Sequence, residues 1–188
     1  FNKILKNGKK RGLFFNFIHC SNSGALLNNY GELFNTVRVG MLAYGVPPSD
    51  EVPMEINVEP VMSFCGPIVN LRKVSRNTPI SYGGIYLTKK VTNIAVVQMG
   101  FADGVPRPWY ENGYVSHNGK YYKIAGRICM DQFMVDFGNV EPKIGDEVLV
   151  FGKRKNDSIP IETIAKEINS TTYVILTGIH GRTEYILT

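Results

Sequence analysis

Short apolar runs separated by turn signals fill the sequence from residue 61 onward, and this pattern restricts the possible folds more than any other feature. The turn signals include Asp103-Gly104 and Asn118-Gly119, dipeptides that favour tight turns and hairpins. Runs of this length and spacing are typical of all-β modules. The predicted strands are residues 61–74, 80–87, 94–99, 123–130, 132–137 and 147–151.

A single helix is predicted to interrupt these strands. Ser158 can cap it, and Pro160 suits its first turn. The apolar residues that follow recur at helical spacing and share one face. They are Ile161, Ile164, Ala165 and Ile168.

The first 60 residues have a different character. Residues 1–12 combine helical apolar spacing with a glycine stop, and residues 13–20 form a nearly continuous apolar run. Such a run is typical of a strand buried on both faces, as in α/β layers. Residues 21–27 begin with small polar side chains and continue as a short helix. This strand-to-helix turn could receive a phosphate on its N–H groups, although most such turns only cap helices.

A second apolar run, residues 37–42, contains one charge, Arg38. A charge inside a buried strand is costly unless it has a partner or a function, although an arginine at a strand end can also reach solvent along its apolar stem. Prolines are frequent in residues 45–53, which indicates a linker or surface loop. We therefore predict a domain boundary near Pro60.

Composition limits the class of protein. The chain has 188 residues, of which 44% are apolar and 20% charged, values typical of a soluble globular protein. It has no apolar run of membrane-spanning length and no signal-peptide pattern, so a cytoplasmic protein without a membrane partner is expected. The net charge of +5 comes from short basic clusters without neighbouring aromatic residues, which argues against nucleic-acid binding.

No metal site or common nucleophile motif is predicted. His19 and His180 have no acidic neighbours at metal-ligand spacing. The three cysteines, Cys20, Cys65 and Cys129, are far apart and are predicted to be buried thiols. A nucleophile elbow and a phosphate-binding glycine loop with lysine are both missing.

Tyr82 is the strongest catalytic candidate. It stands between a serine and a glycine in a strand-like run. A phenol has a pKa of about 10 and needs a neighbouring cation to act as a base at neutral pH. The candidate cation is Arg38. The alternative is a tyrosine that packs in a strand and hydrogen-bonds through its hydroxyl.

Several motifs, each weak alone, occur in an order that resembles alanine racemase. The resemblance extends over nearly the whole chain, through residues 145–148 and 172–173, but does not include a whole racemase. The motifs are HCSNSGA at residues 19–25, VRVGMLAYG at 37–45, SYG at 81–83, GFADG at 100–104 and GRICMDQ at 126–132.

The resemblance implies a mainly β chain that belongs to a pyridoxal 5'-phosphate enzyme. Residues 1–59 would be the last strands and helices of a truncated TIM-type α/β barrel, and residues 60–188 the C-terminal β-barrel-like domain. The lysine that binds the cofactor would lie upstream, since no motif here corresponds to it. The resemblance thus predicts a fragment that is inactive alone.

The resemblance also implies roles for individual residues. Tyr82 matches the base that removes the α-hydrogen of L-alanine, and Met130 matches the residue whose backbone N–H binds the substrate carboxylate. Arg38 matches the arginine that faces the pyridine nitrogen. The positions matching those that hold the cofactor phosphate are Ser23, Gly40, Met41 and Tyr173.

Further positions match residues around the site. Arg107 and Arg127 match positions on the approach to it, where positive charge attracts a carboxylate. Ion pairs of these arginines with Asp103 or Asp131 are the alternative. The other matching positions near the site are Asn22, Phe101 and Asp131. By the same resemblance Tyr82 and Met130 act on the cofactor of a partner subunit, which implies a homodimer with shared active sites.

Alternatives to an alanine racemase that supplies D-alanine for peptidoglycan remain open. Phe101 stands where the family usually has tyrosine, and only Arg182 remains of the usual two arginines near the end. A racemase of serine or of several amino acids is one alternative, although Tyr173 favours alanine. A non-catalytic β-barrel module that binds a partner or nucleic acid is another.

Overall fold

The computed structural model describes residues 1–30, 34–49, 52 and 56–187. The chain divides into two compact units, Phe1–Glu59 and Pro60–Thr188. Among the described residues, no helix has the length and apolar character needed to cross a membrane.

The first unit contains two helices, α1 (Asn2–Lys10) and α2 (Ser23–Leu27), and a 3₁₀ turn at Met41–Tyr44. The predicted helix within residues 1–12 is confirmed by α1. The short predicted helix is confirmed by α2, where the Asn22 side chain caps the first turn by accepting a 2.9 Å hydrogen bond from the Ala25 N–H.

The buried strand predicted at residues 13–20 is wrong. These residues have no regular secondary structure, and Phe14 and Phe17 are exposed. A doubly buried strand needs neighbours at both edges and on both faces. Instead, side chains from the following segment bind its backbone. Asn35 accepts from the Ile18 N–H at 2.7 Å and donates to the Asn16 carbonyl at 2.8 Å, and Arg38 donates to the Cys20 carbonyl at 3.4 Å.

The strand predicted at residues 37–42 is also wrong as a regular element. It is reduced to one parallel bridge between Asn22 and Arg38, with the Arg38 N–H donating to the Ser21 carbonyl at 2.9 Å. Arg38 is exposed, so the predicted buried charge is absent here as well. A segment that pairs through a single bridge leaves its side chains open to water, which explains why residues 37–42 form no regular strand and why Arg38 is exposed.

The second unit is built on one antiparallel sheet, in agreement with the all-β module predicted from the sequence. Its strands are β1 (Phe64–Val74), β4 (Thr92–Val97), β5 (Tyr114–His117), β6 (Lys120–Ile124), β7 (Phe133–Gly138), β8 (Glu147–Arg154) and β9 (Asp157–Ile159). Their order is β1-β4-β7-β6-β5-β8-β9, and β1 also pairs with β8. This last pairing closes the sheet into a barrel, and β9 extends it beyond β8.

The length of β1 makes the closure possible. Its first part pairs with β8 and its second part with β4, with Phe64 opposite Phe151 and Ile68 opposite Val97. Burial alternates along β7, as expected for a strand with one face toward a core. Fully buried side chains that fill this unit include Ile68, Val97, Val115, Ile124, Phe133, Val135, Val148 and Val150. The prediction of a mainly β chain is confirmed.

The predicted run 80–87 is not one strand. It divides into β2 (Pro79–Ile80), a 3₁₀ turn at Tyr82–Gly84 and β3 (Tyr86–Leu87), which together form a separate two-stranded ribbon. Positive φ angles at Ser81, Gly83 and Gly84 break the extended conformation.

The helical region after the barrel also differs in part. Helix α3 (Ile161–Glu167) buries Ile161, Ile164 and Ala165, which confirms three residues of the predicted apolar face, whereas the fourth, Ile168, is the half-buried C-cap residue. Ser158 lies in β9 and Pro160 is the N-cap residue, so the predicted serine cap is wrong. A second helix, α4 (Thr172–Thr177), and strands β5 and β9 were not predicted.

Candidate functional site

Tyr82 lies on an exposed turn and not in a strand. Its side chain is 71% exposed, and within the described residues it makes no hydrogen bond. The expected alternative, a packed tyrosine with a bonded hydroxyl, is therefore wrong. Arg38, the cation expected beside it, belongs to the other compact unit, and that pairing stays a prediction.

Two loops of the second unit, one of which carries Tyr82, each contact a third loop, and we call the three together the loop platform. They are residues 81–84, between β2 and β3, residues 100–104, after β4, and residues 126–132, between β6 and β7. The Ser81 hydroxyl donates to the Arg127 carbonyl at 2.8 Å and lies 3.8 Å from the Cys129 sulfur. Three of the sequence motifs therefore form one surface.

Glycine is required where the first and third loops meet. Gly126 has a φ of +87°, and a Cβ there would lie 2.7 Å from the Ser81 Cβ and 2.8 Å from the Ile80 carbonyl oxygen. Any side chain at this position would separate the two loops.

Hydrogen bonds to the carbonyl groups of Met130 and Cys129 hold Met130 in place. The Ala102 N–H donates to the Met130 carbonyl at 3.0 Å, and the Phe101 N–H donates to the Cys129 carbonyl at 3.1 Å. The Met130 N–H itself makes no hydrogen bond within the described part of the chain. The Met130 side chain is 55% exposed, so the platform presents an unused donor at an accessible residue.

Arg182 is the arginine that pairs with both acidic residues of the platform. Its Nε donates to Asp103 Oδ1 at 2.6 Å, its Nη2 donates to Asp103 Oδ2 at 3.1 Å, and the same Nη2 lies 2.7 Å from Asp131 Oδ1. The predicted alternative, ion pairs from Arg107 or Arg127 to these carboxylates, is wrong. Arg107 lies 5.9 Å above the centre of the exposed Phe101 ring, and Arg127 is half-buried.

The ionised state of Asp103 is stabilised in this arrangement. Burial by itself would raise its pKa, but the hydrogen bonds from Arg182 and from the Gly100 N–H at 2.7 Å outweigh burial and lower the pKa below its ordinary value. The hydrogen bonds to Asp103 and Asp131 raise the pKa of the Arg182 guanidinium. Sequence reasoning noticed Arg182 only as a remnant of a motif, because a contact between positions 103 and 182 leaves no local signal.

Three of the four residues proposed around the cofactor phosphate lie together in the first unit. The Gly40 N–H donates to the buried Ser23 hydroxyl at 3.0 Å, and a Cβ on Gly40 would meet no atom within 4 Å. Met41 begins the 3₁₀ turn, and its N–H makes no hydrogen bond within the described residues. A hydroxyl, an amide donor and open space therefore lie together, which fits a phosphate group.

Arg38 and Tyr173 complete the predicted set. Arg38 donates through Nη2 to the Cys20 carbonyl at 3.4 Å. Tyr173 is half-exposed on α4 in the second unit. Whether it reaches the phosphate residues of the first unit stays a prediction.

The cysteines are not uniformly buried as predicted. Cys20 is exposed, because the segment that carries it is not a buried strand, whereas Cys65 and Cys129 are half-buried. Burial raises the pKa of the Cys65 thiol. No group of metal-ligating side chains occurs among the residues that the structure describes.

These features define a class of domain: a closed β barrel whose loops carry an exposed tyrosine on a tight turn. Residues 61–187 match the family of the alanine racemase C-terminal domain. The chain belongs to that family, as the sequence motifs indicated.

Individual relatives match a longer part of the chain than the domain family does. "Alanine racemase 2" of Caldanaerobacter subterraneus is 39% identical over 97% of this chain and 47% of its own length. The alanine racemase of Bacillus anthracis with bound L-Ala-P is 33% identical, with a TM-score of 0.85 over 95% of this chain and 46% of that one. The enzyme of Bartonella henselae with covalently bound pyridoxal phosphate is 28% identical, with a TM-score of 0.80 over 98% and 51%. The chain thus spans about half the length of these relatives.

Proposed function

We propose that this chain provides part of the active site of an alanine racemase, which interconverts L- and D-alanine and thereby supplies D-alanine for peptidoglycan. The observation that supports this most directly is the loop platform. It combines an exposed phenol, Tyr82, with an unused backbone donor at Met130, and the chain belongs to the alanine racemase C-terminal domain family, whose resemblance suggested these two positions.

The proposed role of Tyr82 is proton transfer at the α-carbon. Racemisation removes the α-hydrogen from one face and returns a proton to the other, which calls for one base on each side. Tyr82 would serve the L-face. The other base would be the cofactor-binding lysine of the upstream barrel, which no motif of this chain matches.

Pyridoxal phosphate, when bound, withdraws electrons from the α-carbon and so makes its hydrogen acidic. Ser23, Gly40 and Met41 would hold the phosphate, with Tyr173 joining them. Arg38 would face the pyridine nitrogen. Because an arginine does not give up its proton, that nitrogen would stay unprotonated, which limits electron withdrawal and disfavours side reactions. The relative with covalently bound pyridoxal phosphate supports this cofactor.

The proposed substrate is alanine. The Met130 N–H would bind its carboxylate, and the exposed Arg107 and half-buried Arg127 would add positive charge near the platform. The bulk of Tyr173 favours a methyl side chain over a larger polar one. The relative with bound L-Ala-P supports the same class of substrate.

The proposed partner is a second copy of the chain. Ile85 and Leu87, on the ribbon that carries Tyr82, are exposed apolar side chains. Apolar surface beside a site residue is typical of an interface. A two-fold dimer would bring the platform of each subunit to the cofactor of its partner. The cytoplasmic location expected from the sequence stays a prediction.

The test uses a chimera that joins this chain to the upstream half of alanine racemase 2 from Caldanaerobacter subterraneus. We expect the chimera with pyridoxal phosphate to racemise alanine, and the 188-residue chain alone to be inactive. Tyr82→Phe in the chimera should slow loss of the α-hydrogen from L-alanine in D₂O by about 10²- to 10⁴-fold, the usual contribution of an acid–base group. Exchange from D-alanine should change much less.

The matched control is Tyr121→Phe, since Tyr121 is an exposed tyrosine of the same unit whose hydroxyl donates to the Ser158 carbonyl. It should leave both exchange rates unchanged. Equal effects of Tyr82→Phe on both enantiomers would contradict the assignment of the L-face base. Racemisation of L-serine as fast as that of L-alanine would favour the broader racemase.

A further inference from the structure

Ser81 has a backbone conformation that serine rarely adopts. Its φ is 65° and its ψ is −179°. This region of backbone space is essentially restricted to glycine, because a Cβ collides there with the residue's own backbone. The chain does use glycine nearby, with Gly83 at φ 74° and Gly84 at φ 57°. A serine at position 81 therefore stores strain directly before the tyrosine.

Several contacts hold Ser81 in this conformation. Its hydroxyl donates to the Arg127 carbonyl at 2.8 Å, and its own carbonyl accepts from the Gly84 N–H at 3.1 Å. The Cys129 sulfur lies 3.8 Å from the hydroxyl, and Gly126 leaves just enough room for the Ser81 Cβ. Residues 126–129 thus hold the strained serine from one side and the turn holds it from the other.

No comparable contacts fix the Tyr82 side chain. Its exposed side chain makes no hydrogen bond within the described residues. The direction in which the ring leaves the chain is therefore fixed by the backbone, and Ser81 is the residue that sets that direction.

We propose that Ser81 is a positioning residue, whose strained backbone, held by residues 126–129, aims the Tyr82 phenol at the substrate. This inference rests on the proposed racemase function of the site. Serine at this position lowers the stability of the fold but fixes the direction of the Tyr82 side chain. Glycine would relieve the strain and let the turn move, whereas alanine would keep the strain and lose the hydroxyl contact.

Ser81→Gly and Ser81→Ala together isolate the strain, since both lack the hydroxyl and they differ only in the Cβ. In the 188-residue chain we expect Ser81→Gly to melt at least about 2 °C above Ser81→Ala, followed by the fluorescence of Trp109, the one tryptophan of the sequence. Glycine's greater freedom in the unfolded chain works against this order, so observing it requires real strain. Amide hydrogen exchange at Gly84 should be at least about tenfold faster in Ser81→Gly than in the parent.

Activity in the chimera should not rise with the stability of the variant. Ser81→Gly, the more stable variant, should lose at least as much kcat as Ser81→Ala, with a fall of about tenfold or more, and KM for alanine should stay within about threefold because Ser81 does not bind substrate. The matched control is Asn118→Gly, which replaces another residue with positive φ, 53°, outside the platform. It should leave kcat unchanged.

Two results would overturn the inference. If Ser81→Gly is no more stable than Ser81→Ala, the backbone at position 81 is not strained. If Ser81→Gly keeps its kcat within about threefold, the strain does not position Tyr82. A parent chimera that fails to racemise alanine would refute the proposed function instead, and the order of stability and the Gly84 exchange would then decide whether Ser81 holds the turn.

Discussion

A methyl group at position 100 tests how tightly the loop platform is built. Gly100 has an extended backbone, with φ −149° and ψ −160°, which any residue can adopt. The cost of Gly100→Ala is therefore steric. The new Cβ would overlap the carbonyl oxygens of Cys129 and Met130 and lie 2.5 Å from the Met130 carbonyl carbon. Because non-bonded carbons approach to about 3.5 Å, residues 126–132 must move by about 1 Å.

This movement breaks the two hydrogen bonds that hold Met130. They run from the Phe101 N–H to the Cys129 carbonyl at 3.1 Å and from the Ala102 N–H to the Met130 carbonyl at 3.0 Å. Each contributes about 0.5–1.5 kcal/mol, and overpacking against backbone costs about 1–3 kcal/mol. Since the movement relieves part of the overlap, we expect a loss of about 3 kcal/mol, or ~6–12 °C in Tm.

The assay is thermal unfolding followed by Trp109, which is 1% exposed in the second unit and so reports on the unit that contains the platform. Gly66→Ala in β1 is the matched control. Its Cβ would overlap the Met99 sulfur and lie 2.8 Å from the Met99 Cγ and 3.1 Å from the Val97 Cγ1, but these are side-chain atoms, and the methionine in particular can move aside. We expect a loss of less than about 1 kcal/mol, or ~2–4 °C. Equal losses in the two variants would refute the rigid contact at Gly100.

The remaining predictions concern Arg182 and its carboxylate partners. Arg182→Met should speed amide exchange at Ala102 by about tenfold or more, because residues 100–104 lose their ion pair with the end of the chain. The control is Arg154→Met, which breaks an exposed ion pair with Glu147 and should leave this exchange rate unchanged. Equal exchange rates at Ala102 in the two variants would contradict the prediction. Hydrogen bonds that outweigh burial hold the pKa of Asp103 below 3.8, so its stabilising effect is fully present above pH 3.8 and is lost as the pH falls further. Asp103→Asn should therefore destabilise the chain at neutral pH, with a deficit that shrinks below pH 3.8 in denaturant titrations; a deficit independent of pH would refute the reasoning.

Features set by neighbouring residues could be predicted from the sequence. Asn118-Gly119 predicted a tight turn, and the two residues, at φ 53° and 74°, connect β5 to β6. Most of the barrel strands followed from short apolar runs bounded by turn signals, because both depend on residues that are adjacent in the sequence. The prediction that Tyr82 and Met130 belong to one site came from the order of motifs, and not from any physical signal in either segment.

Features set by distant residues could not be predicted in this way. The apolar run at residues 13–20 has the composition of a buried strand, but the described residues provide no neighbours to bury it, and it stays irregular. The pairing of Arg182 with Asp103 and Asp131 joins positions far apart in the chain. The strain at Ser81 depends on Gly126 and Arg127, which no local pattern connects to it.

The topology of the barrel explains why the platform forms at all. Val97, the last residue of β4, pairs with Phe133, the first residue of β7, and Ile124, the last residue of β6, pairs with Val135. The chain therefore leaves β4 and β6 and enters β7 at the same end of three adjacent strands, so the loops 100–104 and 126–132 must meet there. Because the barrel is closed, a shift of one strand would disturb the whole ring. Met130 and the Ser81 contacts are thus held by the register of the sheet, and the precision that the proposed proton transfer requires comes from the barrel beneath the loops.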